Sequence, residues 1–172
     1  MDTKILKYIA FLLILAGALS SCETMNTSEE LIKPVIPDNE VITFFQEQLP
    51  VSSGIWSECF FVGEADKPWS KDMWTECVLI NSMDEFKKIF SCSSDLLPAI
   101  DFKSYTLIIG MQQMRSSGHI MVEQSIIVRF KVELNIKVKR PDYGLGEICP
   151  LYYWGIYPKI KRKSISVNIK YE

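Results

Sequence analysis

Histidine is nearly absent: His119 is the only one among 172 residues. That excludes any site needing two imidazoles, H-E-x-x-H zinc chemistry included. Glycine is scarce, at eight residues, and no G-x-x-x-x-G-K phosphate loop occurs. There is no surplus of positive charge. With 19 basic and 21 acidic side chains the formal net charge is −2, whereas nucleic-acid binding normally needs a strongly basic balance. No C-x-x-C spacing occurs, so neither a zinc site nor any other metal is expected, and no cofactor. Carboxylate pairs can be drawn anywhere in a chain with 21 acids, and none stands out. What is present is enough apolar material, 48% of residues, for one domain with a real core.

The first 22 residues read as an address. Lys4 and Lys7 form a basic start, Ile9 to Leu15 an apolar run, and Ala16, Gly17 and Ala18 a small-residue stretch. The run is too short, and too soon followed by polar residues, to span a bilayer. Its end, Leu19-Ser20-Ser21-Cys22, resembles the bacterial lipobox. In that family the signal is cut before the cysteine, whose sulfur then carries diacylglycerol. Only a thiol can form that thioether. The plainer reading is an ordinary signal peptide with an incidental cysteine. The chain is thus expected to be an exported, membrane-anchored lipoprotein, with residues 1–21 as signal and Cys22 as the lipidated residue. The outer membrane is the expected site, at its periplasmic face or on the cell surface; the early acids Glu23, Glu29 and Glu30 do not fix the leaflet. Residues 22–40, polar with Pro34 and Pro37, read as a flexible tether. The slightly positive mean hydropathy of the chain belongs entirely to residues 1–21.

Residues 41–172 read as a single β-rich domain. Val41, Phe44, Phe45 and Leu49 lie at helical spacing, and Ser82 to Phe90 carries a capping-box start with Met83, Phe86, Ile89 and Phe90 on one face. Phe60 to Val62 and Thr75 to Ile80 are short strand candidates, and Tyr105 to Met111 reads as a central strand. Phe130, Val132, Leu134, Ile136 and Val138 alternate with polar residues through Lys139, the period of a half-buried strand. Ile120 to Arg129 is expected to pair with it antiparallel. Ile165, Val167, Ile169 and Tyr171 repeat the alternation at the end. The fold class is therefore mainly β, an antiparallel β-sandwich or partly open barrel with one or two short helices.

Export permits disulfides, and Cys59, Cys77, Cys92 and Cys149 allow three connectivities. One pairing joins Cys59 to Cys77 and Cys92 to Cys149. Four buried thiols are an equal reading. For binding, Ser116-Ser117-Gly118-His119 does not match G-x-S-x-G and suits a tight turn. Trp56, Trp69 and Trp74 form one aromatic stretch, and Tyr152, Tyr153, Trp154 and Tyr157 another; exposed aromatics can stack on sugars or anchor a protein, whereas buried ones are simply core. Lys159, Lys161, Arg162 and Lys163 read as a solvated turn or as a contact with anionic headgroups.

From Trp74 to Glu172 the sequence resembles the C-terminal domain of PrcB-type protease-complex subunits. The matching features are the helix at Ser82-Met83-Asp84-Glu85-Phe86, Leu97-Pro98, Asp101-Phe102, a strand ending at Gly110, and the Arg115-Ser116-Ser117-Gly118-His119 turn. An alternating strand, Pro141, Gly144 and Cys149-Pro150 complete the set. Ser117 departs from the family, which often has glycine there. The resemblance implies a small, mainly β domain without recognised catalytic residues, associated with a protease partner. The expected function is then a non-enzymatic, lipid-anchored binding module that contacts another exported protein, a protease being the partner the resemblance implies. Its expected binding loops carry Arg115, Ser116, Ser117, Gly118 and His119, and Tyr152, Tyr153 and Trp154. Two alternatives stand beside it. One is a protease inhibitor of the chagasin type, since Ser116-Ser117-Gly118-His119 resembles the Thr-Thr-Gly-Tyr loop of that family. The other is glycan binding through exposed tryptophan and tyrosine.

Overall fold

The computed structural model describes residues 30–49, 75–90, 93–142, 146, 148–161 and 164–172. The signal, Cys22, Trp56, Trp69, Trp74, Cys59, Cys92, Gly144, Arg162, Lys163 and the strand expected at Phe60 to Val62 lie outside them. The chain divides at Glu30, and the second unit, Leu31–Glu172, contains every element below. In chain order these are α1 (Asn39–Gln48), β1 (Thr75–Ile80), α2 (Met83–Ile89), a 3₁₀ turn (Ser94–Leu96), β2 (Tyr105–Met114), β3 (Ile120–Val128), β4 (Val132–Lys139), β5 (Cys149–Pro158) and β6 (Ile165–Tyr171).

The strands form two sheets, ordered β1-β2-β5 and β3-β4-β6. They pack as a partly open sandwich, and α1 and α2 cover the outer face of the first sheet. The fold is α+β and mostly strand. β2 explains its own continuous apolar run, because both of its faces are buried. Leu107, Ile109 and Met111 face α1 and α2 with Phe44, Phe45, Phe86 and Phe90. Ile108 and Met114 face the second sheet with Ile126, Leu134, Ile136, Tyr153 and Tyr157. β4 is buried on one face only, so Val132, Leu134, Ile136 and Val138 alternate with exposed or half-buried polar residues, as its period requires.

Local signals set the helices. Ser82 caps α2 by accepting from the Glu85 N–H at 3.2 Å, and the Glu85 carboxylate accepts from the Asn81 N–H at 2.6 Å. The two bonds satisfy donors that a helix start otherwise leaves open. In α1, Val41, Phe44 and Phe45 are buried, and so is Leu49 just past its end. Phe45 stacks on Trp154 of β5 with centroids 4.3 Å apart.

The structure corrects three expectations. The tether does not extend to residue 40: Ile32 exchanges backbone bonds with Ile126 of β3 (2.9 and 2.8 Å), and the Val35 N–H donates to the Ile156 carbonyl of β5 at 2.8 Å. Residues 31–36 are therefore a strap joining the two sheets across one open side. Its Lys33 pairs with Glu123 at 2.9 Å, and Glu123 also pairs with Lys137 at 3.0 Å. The prolines suit such a strap because it pairs at isolated points and needs no continuous ladder of N–H donors. Second, the strand expected from Phe130 begins at Val132. The register sets Val128 opposite Val132, which leaves Arg129–Lys131 as the loop, closed by the Arg129 N–H to the Lys131 carbonyl at 3.0 Å. Phe130 is 96% exposed. Third, β6 pairs with β4 in parallel, where an all-antiparallel sandwich was expected. The cause is the path of the chain: β5 crosses to the other sheet and returns to the opposite end, so β6 starts where β4 starts. Cys149 is a free, half-buried thiol, and Cys92, its partner in one of the expected pairings, lies outside the described residues.

Candidate functional site

The C-terminal ends of β2, β4 and β6 and the start of β3 meet at one pole of the sandwich. The loop between β2 and β3 closes that pole. It turns on Gly118, whose φ of +81° is the left-handed region that side-chain-bearing residues avoid. A Cβ there would also stand 3.0 Å from Pro141 Cβ. Glycine is thus required twice, by conformation and by packing.

Beside this loop lies a cavity of about 400 Å³ lined by Gln112, Gln113, Arg115, Ser116, His119, Arg140 and Tyr171. Tyr171 ends the inward-facing row of β6 and is 47% exposed. The Arg140 guanidinium lies over its ring at 4.4 Å, a cation–π contact. The His119 ring meets Tyr171 edge-on at 6.0 Å. The His119 Nδ1–H donates to the Ser116 carbonyl at 2.8 Å, which fixes the ring against its own loop. Among the described residues the lining has no carboxylate, and neither Arg115 nor Arg140 has an ion-pair partner. The Lys137 ammonium is held protonated by Glu123 and, to a smaller extent, by the charge of Glu172, the residue after Tyr171. Two guanidinium groups, an imidazole and side-chain amides facing one concavity suit a group rich in acceptor oxygens.

The structure brings Arg115, Ser116 and His119 together in this lining. Ser117 and Gly118 shape the loop from behind. Gln112, Gln113, Arg140 and Tyr171 were missed by sequence reasoning, because no local pattern marks them. The alternation of β6 does place Tyr171 on the inward face at a sheet end, and that was the one available signal.

The second expected loop is not a loop. Tyr152, Tyr153 and Trp154 lie within β5, whose two faces are both covered. Tyr153 and Tyr157 are fully buried between the sheets, while Tyr152 and Trp154 pack toward the helices. Burial pushes the phenol pKa of both Tyr152 and Tyr157 up. These rings hold the core and offer no stacking platform for a sugar. Lys159 is likewise engaged: its ammonium donates to the Asn81 and Phe102 carbonyls at 3.0 and 2.5 Å.

Cys77 sits in β1, half-buried against the inter-sheet core. Among the described residues no three His, Cys, Asp or Glu side chains gather closely enough to hold a metal. Among them, too, no helix is long and apolar enough to cross a membrane. No protein-family model, no curated protein and no solved structure matches this chain.

Proposed function

We propose that this chain is a lipid-anchored binding module of the cell envelope that contacts another exported protein, with no catalysis of its own, and that the cavity beside Arg115–His119 is its contact site. One observation carries the reading: the cavity and the incoming chain occupy opposite poles. The strap runs antiparallel to β3 and enters beside its C-terminal end, since Ile32 faces Ile126. The cavity lies at the start of β3, about 20 Å away along the strand. A domain held through Cys22 would thus hold the cavity away from the surface that anchors it. The loop is fixed by Gly118 and by the His119–Ser116 bond, so little ordering entropy opposes binding. The resemblance to PrcB-type domains favours a protease as the partner, and that too is part of the proposal.

The test uses the full chain in its envelope. A photocrosslinking amino acid in place of Ser117 should capture a discrete partner, and Arg115→Ala should weaken the capture. The same probe in place of Val128, at the opposite pole, should capture none. Equal capture at both poles, or capture indifferent to Arg115, rejects the reading. In the same cells Cys22→Ser should abolish fatty-acid labelling.

A further inference from the structure

The pole through which the chain enters carries a feature that the binding reading leaves unused. Phe130 is 96% exposed at the tip of the β3–β4 hairpin. Its neighbours Arg129 and Lys131 are exposed too. The tip is short and closed by the Arg129–Lys131 backbone bond, so it projects without needing to be ordered. Val128 is 39% exposed at the end of β3, and Leu31 is 59% exposed one residue before the Ile32–Ile126 pair. The same pole holds the β5–β6 connection, where Val132 N–H bonds the Ser164 carbonyl and Lys161 is exposed. Its acidic neighbours among the described residues are Glu30, exposed beside Leu31, Glu133, half-buried beside Ser166 in β4–β6 register, and Asp38 and Asp101, which line one cavity with Tyr105 and Ile156. Asp101 is engaged by the Lys103 N–H at 3.0 Å.

We infer that the Arg129-Phe130-Lys131 tip is a membrane-surface contact. Phe130 enters the boundary between headgroups and acyl chains, and the flanking cations meet anionic headgroups. The inference rests on the lipid-anchored reading and adds to it a second, reversible attachment that sets the orientation of the domain. Phe130 is the most exposed of the large apolar side chains among the described residues, ahead of Ile36 at 92%, and it is an aromatic ring at a projecting tip. A bilayer interface buries such a ring, and basic neighbours favour its negative surface. The choice of a lipid surface over a protein follows from position: the tip shares its pole with the entering chain.

The test removes both the lipid and the signal. The mature chain, residues 22–172 with Cys22→Ser, is mixed with vesicles of equal parts phosphatidylcholine and phosphatidylglycerol, and with vesicles of phosphatidylcholine alone. Sedimentation reads the bound fraction. Binding should be confined to the anionic vesicles and fall with added salt. Phe130→Ser should weaken it about tenfold or more. Arg129→Gln and Lys131→Gln should each weaken it about fivefold, from roughly 1 kcal/mol per cation at such a surface. Lys87→Gln, on the exposed face of α2, should change nothing. Absence of binding to anionic vesicles, or binding indifferent to Phe130→Ser, overturns the inference while leaving the lipid anchor and the cavity intact. Failure of Cys22 to take up fatty acid removes the anchor instead, and the vesicle result then stands as a free lipid-binding tip.

Discussion

Gly155 gives the sharpest test of the packing described above. It lies in β5 on the face turned to the second sheet, between Trp154 and Ile156. A Cβ placed on it would stand 2.7 Å from Gln124 Nε2 and 2.9 Å from Tyr157 Cε2. Both are closer than real side chains approach. The Gln124 amide reaches past this glycine from β3 and donates to the Trp154 carbonyl at 2.5 Å, one of the few polar links between the two sheets. Gly155→Ala must therefore displace a flexible amide and press on a buried aromatic ring. Overpacking of this kind costs about 1–3 kcal/mol, and loss of the amide–carbonyl bond adds about 1 kcal/mol.

A total of about 2–4 kcal/mol should lower Tm by roughly 10 °C for a domain of this size. Scanning calorimetry or thermal circular dichroism reads that shift directly. Gln124→Ala alone should cost about 1 kcal/mol. In Gly155→Ala the Gln124 side chain is already expelled, so the double variant should be less damaged than the two single variants added together. A Tm change below about 3 °C in Gly155→Ala refutes the close approach. Strict additivity refutes Gln124 as the obstacle.

Three further perturbations probe other parts of the argument. Among the described residues the buried Tyr157 hydroxyl has no hydrogen-bond partner, so Tyr157→Phe should leave stability unchanged or raise it by about 1 kcal/mol; a loss of that size in urea unfolding would reveal a partner. Glu123 is held down to about 2 by its bonds to Lys33 and then Lys137, from an ordinary 4.5. A depressed carboxylate stabilises the fold above its unfolded value and loses that contribution as pH falls from 4.5 toward 2. Urea midpoints across that window should fall more steeply in the parent chain than in Glu123→Gln, and parallel curves would reject the Lys33–Glu123–Lys137 link. Ile32→Pro removes the N–H that bonds the Ile126 carbonyl, costing about 1–3 kcal/mol. It should also speed amide exchange along β3; protection unchanged at Ile126 would mean that the strap does not close the sandwich.

Much of the architecture was legible because strands and helices carry their own periods. The alternation of β4 and β6 and the cap at Ser82 depend on neighbours a few residues away, so they can be read locally. The continuous run of β2 follows from a strand buried on both faces. Other features depend on partners far along the chain. Tyr152, Tyr153 and Trp154 read as an aromatic patch because nothing local says that helices cover one face of β5 and a second sheet the other. The prolines at positions 34 and 37 resemble tether residues, and only the distant Ile126 and Ile156 backbones make that segment a strap. Phe130 fits the alternation of β4 perfectly by sequence, yet the Val128–Val132 register removes it from the strand.

The parallel β4–β6 pair shows why the site escaped notice even though three of its seven lining residues were named. β4 ends at the cavity pole with Lys139, and Arg140 follows at once. β5 then runs from that pole back to the other, within the first sheet, pairing Cys149 with Met114 and Pro158 with Tyr105. β6 must therefore begin at the far pole and travel with β4, which sets Tyr171 beside Val138. Had β6 returned antiparallel to β4, Tyr171 would end at the opposite pole. Arg140 would then have no ring beneath it, and His119 no edge to meet. The cavity is thus a consequence of crossover topology, and its chemistry comes from residues that are ordinary in isolation. Arg115 and His119 were visible as members of one turn. Arg140 and Tyr171, separated from that turn and from each other in sequence, join it only because two strands end side by side.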